Sequence, residues 1–113
     1  MLKNINRLRK DHEIRKVFKG GKSIKSKNFT IRWRPNHKGV NRFAVVVGLK
    51  VEKRSTRRNA LKRQMREAIK KFGENLGSGF DVTVAAVTLP SWPLAQVDIF
   101  TELSEIFTRI GKR

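Results

Sequence analysis

The spacing of apolar residues changes period several times along the chain, and each change marks an element. Ile14, Val17 and Phe18 fall at i, i+3 and i+4, one stripe of a short helix. That helix runs through His12–Phe18, with Asp11 placed to cap it and Gly20-Gly21 to end it. Phe29, Ile31 and Trp33 then alternate with Thr30, Arg32 and Arg34. Alternation predicts a half-buried strand over 28–34 with a basic outer face. Pro35 to Gly39 is a turn. Arg42–Val47 ends in an unbroken apolar run, which predicts a central strand covered on both faces.

A longer helix is expected from Ser55 or Thr56, either of which can cap it, to about Phe72, with Gly73 as its stop. Leu61, Met65, Ala68, Ile69 and Phe72 form its apolar side; Asn59, Lys62, Arg63, Arg66 and Lys70 form the other. Gly77-Ser78-Gly79 is a turn and 80–87 a third strand. Leu89 to Pro93 excludes regular structure. A last helix buries Ile99, Phe100, Leu103, Ile106, Phe107 and Ile110, with Asp98, Glu102 and Glu105 on its wet side and Gly111 at its end.

The order α-β-β-α-β-α, with room for one extra short strand, predicts an α+β fold. It is an α/β sandwich with one small mixed sheet packed by helices. The helix between the second and third strands can serve as a crossover between parallel strands. At 113 residues and 38% hydrophobic content, the chain has room for a single domain over 1–113, with 1–8 as a flexible lead-in. No apolar run is long enough to span a bilayer, and the N-terminal residues lack the apolar core of a signal peptide. The absence of cysteine excludes disulfides and thiolate chemistry and fits a reducing compartment, so a cytoplasmic location is expected.

Charge narrows the function. The net charge is +18, which opposes compactness and points to a polyanionic partner. Residues 1–70 hold 23 of the 27 Lys and Arg and 4 of the 9 Asp and Glu; residues 71–113 hold the other 4 and 5. The first part is therefore the expected polyanion surface and the last part scaffold. Candidate catalysts are missing. His12 and His37 have no partner at metal-ligand spacing, the carboxylates are scattered, and no serine sits in a nucleophile elbow. Gly20-Gly21-Lys22-Ser23 lacks the first glycine and preceding strand of a phosphate loop.

The most specific segment is Arg57-Arg58-Asn59-Ala60-Leu61-Lys62-Arg63-Gln64-Met65-Arg66-Glu67. On a rigid helix its guanidinium groups offer planar contacts to phosphates, and Asn59 can bond a base edge or a 2′-hydroxyl. This segment resembles the signature helix of the bacterial ribonuclease P protein family. Arg58 and Asn59 match its Arg-Asn-Arg element, Lys62, Arg63, Arg66 and Glu67 match its later positions, and Ala60 stands where a basic residue is usual. Residues 6–23 resemble the family's N-terminal pattern, with Ile14 in place of the usual Phe and with Phe18 retained. Residues 47–54 resemble a strand end that normally reads Val-Ser-Lys-Lys, from which Gly48 and Leu49 depart.

The resemblance implies a fold similar to the second domain of ribosomal protein S5, with a left-handed βαβ crossover against the general right-handed rule. It implies two partners, a catalytic RNA subunit and precursor tRNA. It also implies Mg²⁺ held mainly by the RNA, no membrane, no obligatory protein partner and no protein catalytic residue. Lys53, Arg54, Arg57, Arg58, Asn59, Lys62, Arg63 and Arg66 become candidates for contact with the RNA subunit. Ile14, Phe18, Arg32 and Lys50 become candidates for a cleft that takes the 5′ leader of the precursor. Two other readings compete: a ribosomal or general structural RNA-binding protein, and a DNA-binding module. The second lacks a helix-turn-helix pair.

Overall fold

A computed structural model describes Leu8 and residues 11–73, 77, 79–88 and 96–111. The elements in chain order are α1 (Asp11–Gly20), β1 (Lys22–Lys25), β2 (Phe29–Pro35), β3 (Arg42–Val47), α2 (Ser55–Phe72), β4 (Phe80–Ala86) and α3 (Gln96–Gly111). The strands form one mixed sheet in the order β1-β2-β4-β3. β1 and β2 are antiparallel, as are β2 and β4, while β3 runs parallel to β4. α2 is the connection between that parallel pair, as its position in the sequence suggests.

The pleat sorts side chains onto two faces. Phe29, Ile31 and Trp33 of β2 align with Ala86, Val84 and Val82 of β4, and Phe43 and Val47 of β3 align with Val82 and Ala86. These pack with Leu61, Met65, Ala68 and Ile69 of α2 and Ile99, Leu103, Ile106, Phe107 and Ile110 of α3. Phe43 and Phe107 meet edge to face at 6.3 Å. Arg32, Arg34, Ala44, Asp81 and Thr83 alternate onto the opposite face, which α1 crosses. There Val17, Ala44 and Leu8 form a small second cluster, with Ile14 half-buried against it. The N–H of Leu8 donates to the Phe43 carbonyl. The other residues of the expected lead-in, Met1 to Arg7, lie outside the described residues, as do Leu89 to Pro93.

Several expectations need correction. β3 is an edge strand, not a central one. Its apolar run reflects cover on both faces, by α2 and α3 on one side and by α1 with Leu8 on the other. The inner strands are β2 and β4, and on β4 even Asp81 and Thr83 are buried. Neither Ser55 nor Thr56 caps α2. The cap position is Arg54, in extended conformation and without a side-chain cap bond. The entry is held instead by Arg58, whose Nη1 donates to the carbonyls of Glu52 and Lys53.

Gly73 ends α2 in a right-handed conformation. A Cβ there would come within 3.0 Å of the Phe43 ring, so space rather than backbone freedom calls for glycine. Gly21 follows the same logic more severely, since a Cβ would stand 2.7 Å from the carbonyl oxygens of both Trp33 and Val17. Asp11 is itself the first helical residue of α1; its side chain, expected to cap, and that of Asp98, expected on the wet side of α3, lie outside the described residues. Glu102 is not on a wet face. It accepts hydrogen bonds from the Ser26 hydroxyl and from the backbone and side-chain nitrogens of Asn28, and so ties α3 to the β1–β2 turn. No described helix is long and apolar enough to cross a membrane.

Candidate nucleic-acid interface

α2 shows why a helix makes a good comb of charges. Leu61, Met65, Ala68 and Ile69 anchor one side in the core. At about 100° per residue, Asn59, Lys62, Arg63 and Arg66 then fall within an arc of about 100° on the other. Asn59 and Arg63 are exposed and Lys62 is half-buried. Arg66, also half-buried, and Arg57, which points elsewhere, are each engaged within the protein. Lys53 and Arg54 are exposed on the loop leading into the helix. Arg58 is half-buried and holds that loop through its two carbonyl contacts. The RNA-subunit candidates thus divide by geometry. Asn59, Lys62, Arg63, Lys53 and Arg54 project outward, while Arg58 sets the shape of the loop that presents two of them.

The four leader-cleft candidates are less tightly grouped. Phe18 is 40% exposed on α1, and the Arg32 guanidinium lies over its ring at 4.7 Å from the centroid. This cation–π pair presents a flat, polar-edged platform. Ile14 leans partly into the small cluster with Leu8, Val17 and Ala44. Lys50 stands apart, exposed in the turn after β3, where the Val51 and Glu52 N–H groups donate to the Gly48 carbonyl. Next to it Leu49 is the most exposed large apolar residue described, at 66%.

A charged network escaped the sequence reading. Arg42, at the start of β3, donates from Nε to Asp81 Oδ1 at 2.8 Å and from Nη2 to Asp81 Oδ2 at 2.7 Å. The same Nη2 reaches Glu13 of α1. Asn36 donates a further bond to Asp81 Oδ1 at 2.8 Å. Burial pushes the Asp81 carboxyl up, but the hydrogen bonds from Arg42 and Asn36 and the charges of Arg42 and Lys38 outweigh it, and its pKa ends below the usual range. The Asp81 hydrogen bond raises the Arg42 guanidinium pKa, burial lowers it, and the Glu13 bond and both carboxylate charges leave it above its ordinary value. The signal was faint: 39 residues separate the partners, and only the parallel register of β3 with β4 sets Arg42 opposite Asp81.

These carboxylates are therefore occupied by protein donors. Among the described residues no three His, Asp or Glu side chains converge as a metal site requires. The described residues therefore offer no ligand set that fits Mg²⁺.

A family model described as Ribonuclease P matches residues 2–111. The ribonuclease P protein component of Synechococcus elongatus is 30% identical over 112 residues, covering 96% of this chain and 92% of that one. The one from Thermotoga maritima is 36% identical over 95 residues, covering 84% and 79%. The solved RNase P protein of T. maritima superimposes with a TM-score of 0.78 at 28% identity, covering 92% of this chain and 96% of that one. The Staphylococcus aureus RNase P protein shares the fold, with a TM-score of 0.79 at 24% identity. The mixed sheet, the cationic α2 and a match across nearly the whole length meet in one conclusion: the chain belongs to the ribonuclease P protein family.

Proposed function

We propose that this chain is the protein subunit of a ribonuclease P holoenzyme that removes the 5′ leader from precursor tRNA. The observation that carries the reading is the family match over residues 2–111 coinciding with a cationic comb on α2 whose Asn59, Lys62 and Arg63 project outward. The comb and the Lys53–Arg54 loop dock on the catalytic RNA. The α1 side of the sheet, with Phe18 stacked by Arg32, takes the single-stranded leader. Hydrolysis belongs to the RNA partner, which also holds most of the Mg²⁺. The protein supplies affinity and orientation, which lower the divalent-ion demand by neutralising phosphate charge. A ribosomal or general RNA-binding role is not favoured, because the match extends through every element rather than the basic helix alone.

The direct test is cleavage of a 5′-extended precursor tRNA by the cognate catalytic RNA at low Mg²⁺, with and without the protein. The protein should lower the Mg²⁺ requirement and favour substrates that carry a leader. Tight RNA binding with no change in rate or Mg²⁺ dependence would return the chain to the general RNA-binding class.

A second expectation concerns Ile14, where the family usually has Phe. Base–aromatic stacking is worth about 1–3 kcal/mol per base. The Ile14→Phe holoenzyme should therefore bind leader-bearing precursor about fivefold or more tighter. Equal affinity for the two proteins removes residue 14 from the leader cleft and leaves it to the Leu8–Val17–Ala44 cluster.

A further inference from the structure

α1 has two flanks. Val17 points into the sheet and is fully buried. At about 100° per residue, Ile14 and Phe18 then lie to one side of it, while His12, Lys16 and Lys19 lie to the other and Arg15 points outward. The first flank holds the Phe18–Arg32 platform. The second borders a concave recess of about 390 Å³ lined by His12, Arg15, Lys16, Lys19, Gly20 and Arg34. Four permanent cations and a histidine converge there from two elements, and among the described residues no carboxylate lines the recess. Glu13 and Asp81 open onto a neighbouring recess instead and are held by Arg42.

Folding does not explain this arrangement. Like charges gathered in a concavity repel, and low-dielectric walls concentrate their field. Arg34 is half-buried at the end of β2 and cannot relax far from the others as an exposed lysine could. The arrangement suits a compact dianion or a phosphodiester, whose oxygens accept several charge-assisted bonds at once.

We propose that this recess holds a backbone phosphate of RNA, a third contact separate from α2 and from the Phe18 flank. The proposal rests on the reading of the chain as an RNA-binding subunit and adds a site to it. With contacts on both flanks, α1 is straddled by RNA rather than touched along one side. Lys19 and Arg15 are exposed and make no hydrogen bond or ion pair among the described residues, so their replacement isolates the anion contact from the fold.

The test uses the assembled holoenzyme with an Arg15→Gln, Lys19→Gln double variant, the two single variants, and an α2 variant, Lys62→Ala with Arg63→Ala, in parallel. Affinity for the catalytic RNA and for precursor tRNA is measured from low to moderate salt, with circular dichroism confirming the fold. The double variant should lose about tenfold or more in affinity for one of the two RNAs. Its slope of log affinity against log salt should fall by about one for each phosphate released.

An α2 variant that weakens binding beside an α1 variant with unchanged affinity and slope overturns the proposal alone. If neither variant has an effect, the RNA-binding reading fails with it. Inorganic phosphate and pyrophosphate serve as free-anion probes. If they raise the melting temperature of the wild type but not of the double variant, while RNA affinity and slope stay the same, the recess is a free-anion site and the RNA assignment is overturned.

Discussion

Arg42→Ala should lower the stability of the protein by about 3 kcal/mol, within the range of about 3–5 kcal/mol expected when one partner of a buried ion pair is removed. The lower end applies because the side chains of Arg42, Asp81 and Glu13 keep 16%, 10% and 19% of their exposure, so water screens part of the interaction. Arg42 grips Asp81 with two nitrogens, a geometry that favours Arg over any other cation. Its removal leaves two carboxylates facing a gap, with Asn36 as a remaining donor to Asp81. Urea unfolding should show a lower midpoint with an unchanged slope. A loss under 1 kcal/mol would reduce the network to an ordinary surface pair. Since Glu13 lies on α1 and Arg42 and Asp81 on the sheet, the same change should loosen the seat of α1 and weaken precursor binding.

The network also sets an acid limb. The folded pKa of Asp81 is depressed, so its contribution is complete above the ordinary carboxylate range and is lost as pH falls towards the folded value. Wild-type stability should decline from about pH 5 downward. Arg42, with a raised pKa, contributes fully at every pH below the usual arginine range and adds no slope there. Arg42→Ala should flatten the acid limb as well as lower the plateau. An acid limb of the same steepness in both proteins would assign the decline to other carboxylates.

The second large effect is on RNA affinity. Lys53→Ala, Lys62→Ala and Arg63→Ala together remove three cations that make no side-chain hydrogen bond or ion pair among the described residues, and two of them are exposed. Stability should change by less than about 0.5 kcal/mol for each. Affinity for the catalytic RNA should fall by about 10²–10³-fold at ~0.1 M salt, and the salt slope should drop by about two to three. Addition of single-variant effects in log units would mark independent phosphate contacts. A triple variant no weaker than Lys62→Ala alone would place one contact on the helix and none on the loop.

What could be read from the chain divides by how local the signal is. The three helices, β2, β3 and β4 each carry a local signal, a period or an apolar run, and the buried stripes of α2 and α3 follow it except at Phe72 and Phe100, which are only partly buried. β1, Lys-Ser-Ile-Lys, contains one apolar residue. Nothing within it announces a strand, and it exists because β2 offers an edge. The edge position of β3 was misread because an apolar run records cover, not neighbours. Glu102 resembled a solvent-facing helix residue because Ser26 and Asn28, its partners, lie 74 to 76 positions away. The α2 comb was visible since all its cations share one helix. The recess beside α1 was not, since it needs Arg34 from another element, and Arg15, Lys16 and Lys19 look by themselves like a solvated face.

The order β1-β2-β4-β3 has a consequence for how the chain reaches this state. β2 and β3 are consecutive in sequence yet never touch as strands; β4, more than thirty residues beyond β3, is inserted between them. Until β4 is in place, β3 has no strand partner and β2 has only the four-residue β1. Closing a loop of this length costs entropy before any strand contact repays it. The Arg42–Asp81 clamp and the seat of α1 against β4 both depend on that one insertion, so neither can be complete before the longest loop has closed.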